Sequence, residues 1–318
     1  MNLLRVLDWR AWPDLAIEAP LRFAGRIRAA SRATPQLPAD LRDRVTVRWP
    51  RVYECPLLST QIREMLSQHV NVVLTELPQP YRRTIWTEFE IDGKLHKVAF
   101  CISDYPEELS EQCASQSLVT FKFQFLHDGY SRRNVVPGGH LPRSTVLYDM
   151  LAYLRWRKDH AREQFDVYGR FSMDFAPGVR GAALRQLAGT RAFRFQGGDR
   201  TVRYSRYLRE VARSRVCIDL PGEGPFCCRL IEYLAVGTCV VAVPYPVRLP
   251  AALTDGIHIS YCKSGLEDLI PRCQAVLDDS RQRRAMERAA RAFFDRYLHR
   301  DRLSVYYLAT ILAAAGAR

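Results

Sequence analysis

The sequence predicts an α/β protein organised around two sheets, and three observations carry that expectation. Apolar strand-like runs alternate with amphipathic helical runs through residues 165–277, a rhythm that requires a parallel sheet covered on both faces. Four further strand-like runs crowd residues 70–125, the middle two joined at Asp92-Gly93 as a hairpin. At 318 residues the chain is also too long for one small core, so two domains are expected.

Composition narrows the class. With 47% hydrophobic and 25% charged residues the chain falls in the globular range rather than the disordered one. Net charge is +13, and of 47 basic residues only Lys94, Lys97, Lys122, Lys158 and Lys263 are lysine. The planar fork of arginine suits phosphate and carboxylate, so a nucleotide, a nucleic acid or an anionic membrane face is the implied partner. An arginine-biased composition spent in solvated ion pairs is the competing explanation. Nine cysteines lack metal-ligand spacing, and Arg5, Asp8 and Arg10 interrupt any signal peptide. A cytoplasmic protein with reduced thiols and no structural metal is expected. The apolar run Tyr306 to Ala317 is too short to span a bilayer.

Taken in order, the first fifty residues are arginine-rich, with a basic helix over Ala19 to Arg32 that suits either an ordinary surface or peripheral attachment to a membrane. "VNVVLTEL", "RTIWTEFEI", "LHKVAFCISD" and "LVTFKFQF" read as strands, and "YPEELSEQCAS" as a helix starting near Pro106. The loop "VVPGGHLPRS" leads into a helix over Thr145 to Gln164, whose charged end places a domain boundary near residue 160. Strands "FDVYGRFS", "RAFRFQGG", "RVCIDL" and "TCVVAV" then alternate with helices "GAALRQLAG" and "YSRYLREVARS" and the helix of "GPFCCRLIEYLAVG". "LPAALTDG" and "IHISY", a helix over Leu266 to Leu277 and a helical stretch Ser280 to Ala315 broken near Tyr297 to Asp301 complete the chain.

"DLPGEGPFCC" carries the chemistry. Ligands of open parallel sheets collect where strands end and helices begin. Pro225 suits a first helical position, which leaves the amides of Phe226, Cys227 and Cys228 to face an anion, while Gly222 and Gly224 allow close approach of a diphosphate. Glu232 follows two turns on, roughly 10 Å away, the reach from a diphosphate to its ribose. An ion pair between Arg229 and Glu232 on a surface helix is the alternative the spacing permits.

The run "GEGPFCCRLIEYLAVGTCVVA", with "YSRYLREVARSRVCIDL" before it and "LPAALTDGIHISY" after it, resembles the C-terminal donor domain of the GT-B glycosyltransferases of the group 1 superfamily. "LEDLIPRCQAVLDDSRQRRAMERAARAFFDRY" is similar to that family's closing helices, and the likeness covers Phe165 to Tyr297. It implies two Rossmann-like domains with a nucleotide-sugar crevice between them: an acceptor-side domain over 1–160, a donor domain over 161–296, and a helix over 297–318 crossing back. It also implies a UDP-sugar donor, with a divalent ion as an optional companion. Glu232 would hold the ribose, while Arg170, Gly222, Gly224, Cys227, Cys228 and Arg229 would surround the diphosphate. Glu223 would be the second glutamate of the site; it stands nine residues before Glu232, where the family's pair is eight apart, and this departure favours inversion.

Inversion needs a base from the first domain. Asp104 follows its strand directly; Glu76, the pair His127-Asp128, and His140 in the glycine loop are rivals, each with a loop carboxylate, helix cap or structural histidine as its ordinary explanation. Basic clusters at Arg22, Arg26, Arg28 and Arg32, at Arg132 and Arg133, at Arg155, Arg157 and Lys158, and at Arg281, Arg283 and Arg284 imply a polyanionic acceptor. Cell-surface glycan or lipid comes first, nucleic acid with a hydroxylated base, including DNA modification at a hydroxymethylated base, second, and small metabolites third. A non-catalytic nucleotide or nucleic-acid binder is the reading from another class.

Overall fold

The computed structural model describes residues 12–29 and 37–316, without the side chains of 25–29. Of the expected basic clusters, the side chains of Arg26, Arg28 and Arg32 therefore lie outside the described residues, as does the end of the predicted Ala19 to Arg32 helix. The chain begins with α1 (Trp12–Ala29) and a single turn, α2 (Leu41–Arg44). It continues through β1 (Val45–Pro50), α3 (Pro56–Leu66), β2 (Asn71–Thr75), β3 (Thr84–Ile91), β4 (Lys94–Cys101) and α4 (Glu111–Gln116). The first half closes with β5 (Val119–Lys122), β6 (Phe125–Leu126), β7 (Val135–Pro137) and α5 (Val146–His160).

Six of these strands form one sheet in the order β2-β1-β3-β4-β5-β7. Its centre is the antiparallel β3–β4 hairpin; β1 joins β3 antiparallel, and the pairs β1–β2, β4–β5 and β5–β7 are parallel. Asp92 at φ +48° and Gly93 at φ +78° make the tight turn, since both central positions of a primed hairpin turn need positive φ. The sequence reading had no strand for β1, although Val45, Val47 and Trp49 alternate inward along it. The helix expected over Tyr105 to Ser115 shrinks to Glu111–Gln116. Its predicted first turn is unwound because buried partners take the carbonyls: Lys122 Nζ donates to Tyr105 O at 2.7 Å, and the Tyr130 hydroxyl to Pro106 O at 2.6 Å.

The second half alternates as the sequence predicts. β8 (Phe165–Arg170), α6 (Pro177–Gly189), β9 (Phe195–Gly198), α7 (Tyr204–Val211), β10 (Ser214–Asp219) and α8 (Cys228–Val236) lead into β11 (Cys239–Ala242), β12 (Val247–Arg248) and β13 (Ser260–Tyr261). Helices α9 (Leu269–Asp278) and α10 (Ser280–Phe293) follow. The sheet runs β13-β11-β10-β8-β9, parallel throughout. Neighbouring residues on one strand serve opposite layers: Val216 and Ile218 join the core under α6 and α9, whereas Cys217 joins the core under α5, α7 and α8. That is why these strands read as unbroken apolar runs.

Two devices couple the halves. β6 of the first half and β12 of the second pair as an antiparallel ribbon. A π-type turn, Phe294–Leu298, and an extended His299 then break the closing helix where the sequence placed the break, and α11 (Arg300–Ala315) returns to the first half. Leu303, Tyr307, Leu308 and Ile311 of α11 are buried in the core of the six-stranded sheet, and the Tyr307 hydroxyl donates to Gly138 O at 2.5 Å. Each of those aliphatic side chains stabilises the return by about 1.5–3 kcal/mol. No described helix is long and apolar enough to cross a membrane.

Candidate active site

Strand order reverses between β8 and β10, and such a reversal leaves a crevice at the carboxyl ends of the flanking strands. β8 ends at Arg170 and β10 at Asp219. A cavity of about 620 Å³ opens there, walled by the following loops on one side and by Asp104, His140 and Arg143 of the first half on the other.

The loop after β10 differs from its expected form. Helix α8 begins at Cys228 with Cys227 as its N-cap, so Pro225 is not its first residue. Phe226 is held out of the helix by Gln124, whose Oε1 accepts the Phe226 amide at 3.1 Å and whose Nε2 donates to Phe226 O at 2.9 Å. The Phe226 amide is thus spent, and the amides of Cys228 and Arg229 stand at the start of the helix, where its dipole is positive. Burial keeps both neighbouring thiols protonated, pushing Cys227 up to about 11 and raising Cys228 as well. The Cys227 thiol turns to Leu220 O at 3.5 Å. Gly222 lines the cavity, and a Cβ there would meet Arg180 Nη2 at 3.0 Å. Gly224 has a different reason from the expected one, because its Cβ would fall 2.4 Å from Asp104 O: the close approach it permits is to the opposite half. Gly224→Ala should therefore push the loop off its neighbour, costing about 1–3 kcal/mol, read as a lowered midpoint in calorimetric or denaturant unfolding.

Beneath this loop lie two buried cations. Arg229 sits 3.5 Å from the fully buried Asp219, donates to Leu220 O at 2.8 Å and covers the Phe171 ring. Arg180, 1% exposed, donates to Pro221 O at 2.9 Å and Ser172 O at 2.6 Å and has no carboxylate in ion-pair range among the described residues. Burial, then the like charge of Arg229, hold its guanidinium below its ordinary value. Asp219 in turn accepts the Tyr245 hydroxyl at 2.7 Å. Two guanidinium groups against one carboxylate leave a positive charge under the loop, and an unmatched buried charge costs several kcal/mol.

Glu232 is 1% exposed and lines the same cavity. Its Oε1 accepts the Tyr204 hydroxyl at 2.7 Å and the Arg143 amide at 3.0 Å, whereas Oε2 has no hydrogen bond from the described residues. Burial raises its carboxyl above the usual range, opposed by the Arg143 amide and the Tyr204 hydroxyl. It stands one turn into α8, roughly 6 Å from the helix start rather than two turns away. The alternative Arg229–Glu232 pair does not form, since Arg229 reaches under the loop to Asp219.

Other expected contacts go elsewhere. Glu223 also lines the cavity, and its carboxylate accepts the Tyr105 hydroxyl at 3.1 Å and Arg83 Nη2 at 3.2 Å, which joins the loop to the first half. Arg170 borders the cavity with its guanidinium committed to Glu210 at 2.8 Å, the Tyr168 hydroxyl at 3.1 Å and Arg200 O at 3.0 Å. Glu76 and His127 have side chains 81% and 73% exposed and stand outside the cavity wall. Glu76 pairs with Arg51 at 2.9 Å beyond an edge strand, and Asp128 accompanies His127 at 3.5 Å.

Asp104 is the one carboxylate of the first half among the described residues lining the cavity. Desolvation raises its pKa, and the nearby Glu223 raises it further. The fully buried Lys122 fixes its backbone by donating to Tyr105 O at 2.7 Å and Ser103 O at 3.4 Å on either side. His140 also borders the cavity, its Nδ1 3.1 Å from Leu141 O, and burial lowers its pKa so that it is neutral at pH 7. Arg180, Asp219, Tyr204, Gln124 and Arg143 were not singled out from sequence. Asp219 alone carried a signal, as the polar last residue of an apolar strand. No group of three or more His, Cys, Asp or Glu among the described residues is arranged to hold a metal ion.

This geometry can be set beside known proteins. Residues 151–306 are glycosyl transferase-like: they match the family model of that description. The α/β fold with a crevice between two sheets is the one the resemblance implied. A search of curated proteins finds no match. Among solved structures, Anabaena Alr3699/HepE in complex with UDP-glucose is similar at 14% identity and TM-score 0.40, over 66% of this chain and 70% of that one. The pneumococcal O-GlcNAc transferase GtfA in complex with UDP and GlcNAc is similar at 12% identity and TM-score 0.39, over 64% and 46%. A glycosyltransferase from Rickettsia africae ESF-5 is similar at 14% identity and TM-score 0.32, over 52% and 44%; the chain spans less than half the length of these last two.

Proposed function

We propose that this protein is a glycosyltransferase that moves a sugar from a nucleoside-diphosphate sugar, a UDP-sugar, to a hydroxyl acceptor with inversion. Residues 1–160 form the acceptor side, 161–296 the donor side, and the helix within 297–318 closes one on the other. The observation that carries the reading is the unmatched buried charge of Arg180 and Arg229 beneath a glycine loop at the reversal of strand order. A diphosphate placed at the amides of Cys228 and Arg229 would neutralise it. Oε2 of Glu232 would then accept ribose hydroxyls one helical turn further in.

In the reaction, the bond from the anomeric carbon to the diphosphate breaks as the acceptor oxygen bonds to that carbon from the opposite face. The acceptor's proton passes to the Asp104 carboxylate and from there to water, while the leaving diphosphate keeps the electron pair. Preorganised amides and buried guanidinium charge stabilise it there. The acceptor is a hydroxyl on cell-surface glycan or lipid; transfer to hydroxymethylated duplex DNA in an acceptor screen would replace that assignment.

The test is donor binding. UDP at 1 mM should raise the unfolding midpoint by several degrees, since a ligand of the folded state alone stabilises it, and Glu232→Ala should remove most of the shift. No shift with uridine, guanosine, cytidine or thymidine diphosphates would end the reading.

A further inference from the structure

Helix α1 is turned inside out relative to an ordinary surface helix. The charged side chains described on it face the protein: Asp14 pairs with Arg209, Glu18 with Arg203 at 2.9 Å, and Arg22 with Asp149 at 3.1 Å. All eight of its exposed side chains between positions 12 and 24 are apolar, led by Trp12 at 59%, Ile17 at 44% and Phe23 at 68% exposure. An ordinary amphipathic helix has the opposite arrangement, and an apolar face of this kind marks an interaction surface.

The surroundings indicate what it meets. α1 packs on α5 and α7. The Asp14–Arg209 pair places the start of α1 at the end of α7, and Arg157 near the end of α5 and Arg209 both act on Arg213. That end of α5 also carries Trp156, 55% exposed and stacked between Tyr153 and His160. Arg157 and Arg213 each leave Nε without a hydrogen bond and have no ion pair among the described residues. Exposed tryptophan and phenylalanine beside unpaired guanidinium groups match the headgroup layer of a bilayer, where aromatic rings enter the apolar boundary and arginine meets phosphate. The sequence continues with Arg26, Arg28 and Arg32, adding to a net charge of +13.

We propose that the outward face of α1 is a docking surface for an anionic lipid bilayer, with the helix lying in the plane of the interface and Ile17 and Phe23 inserted. The surface is independent of the donor-site reading, because none of these residues borders the cavity.

Flotation of the full chain with large unilamellar vesicles tests it. With vesicles of 70% phosphatidylcholine and 30% phosphatidylglycerol the protein should float, and with phosphatidylcholine alone at least tenfold less should bind. Raising salt from 0.05 to 0.5 M should release a large share. Ile17→Ser combined with Phe23→Ser should lower the phosphatidylglycerol partition coefficient at least tenfold, with unchanged far-UV dichroism and unchanged stabilisation by UDP. Equal flotation of that variant, equal binding to neutral vesicles, or a dimer by sedimentation that the variant converts to monomer would each overturn the proposal. A wild-type chain that floats without responding to UDP would keep it and sink the donor reading alone.

Discussion

Asp104→Asn should lower the rate of sugar transfer by two to four orders of magnitude, the usual contribution of a positioned general base, and leave stabilisation by UDP unchanged. Asparagine is nearly isosteric and cannot take the acceptor's proton, so a loss in turnover without a loss in donor binding isolates proton transfer from folding. The pH profile gives a second readout. Desolvation and then Glu223 raise the carboxyl's pKa, so transfer should fall on acidification at a higher pH than an ordinary aspartate would dictate. Glu223→Gln removes a neighbouring negative charge and should move that limb to lower pH. The linked stability has the opposite sense: a carboxyl raised on folding favours the fold while protonated, and that contribution is lost as pH rises through the folded pKa. A near-normal rate in Asp104→Asn, with a large loss in His140→Ala, would transfer the role to His140.

Arg229→Met should destabilise the protein by about 3–5 kcal/mol, the cost of removing one member of a buried ion pair. Asp219 is fully buried and would keep the Tyr245 hydroxyl as its hydrogen-bond partner and the more distant charge of Arg180, with no ion pair. Adding Asp219→Asn should restore a large part of that loss, since no uncompensated carboxylate then remains, while affinity for UDP should stay low for lack of the cation. Chemical denaturation of the two variants and of the double variant measures the coupling. Additive losses would show that Arg229 acts through packing on Phe171 instead.

Much of the second half was legible because its physics is local. A strand buried on both faces must be apolar throughout, and a helix between parallel strands must carry a stripe for each layer, so Val216 to Asp219 and Val240 to Ala242 announce themselves. The hairpin turn at Asp92-Gly93 was equally readable, since its backbone conformation narrows the residue choice to a few. β1 was passed over, a six-residue strand just beyond the arginine-rich opening stretch.

The site divides along the same line. Glycine around a strand-to-helix turn marks a close approach of the backbone to its surroundings, at Gly222 to Arg180 and at Gly224 to Asp104, because a missing Cβ is a property of the single residue. Which strand end faces the cavity is a property of sheet order: Asp104, the sequence's first choice, follows the central β4 and lines it, whereas its rivals Glu76, after the edge strand β2, and His127 do not. The clamp of Gln124 on Phe226 spans 102 residues, and Arg180 and Asp219 stand 39 positions apart in the sequence. Sequence by itself determined the alternation, the turn chemistry and the location of the crevice. Tertiary structure decided which charges are buried together, because the electrostatic worth of a side chain depends on what lies within a few ångströms of it, not on its neighbours along the chain.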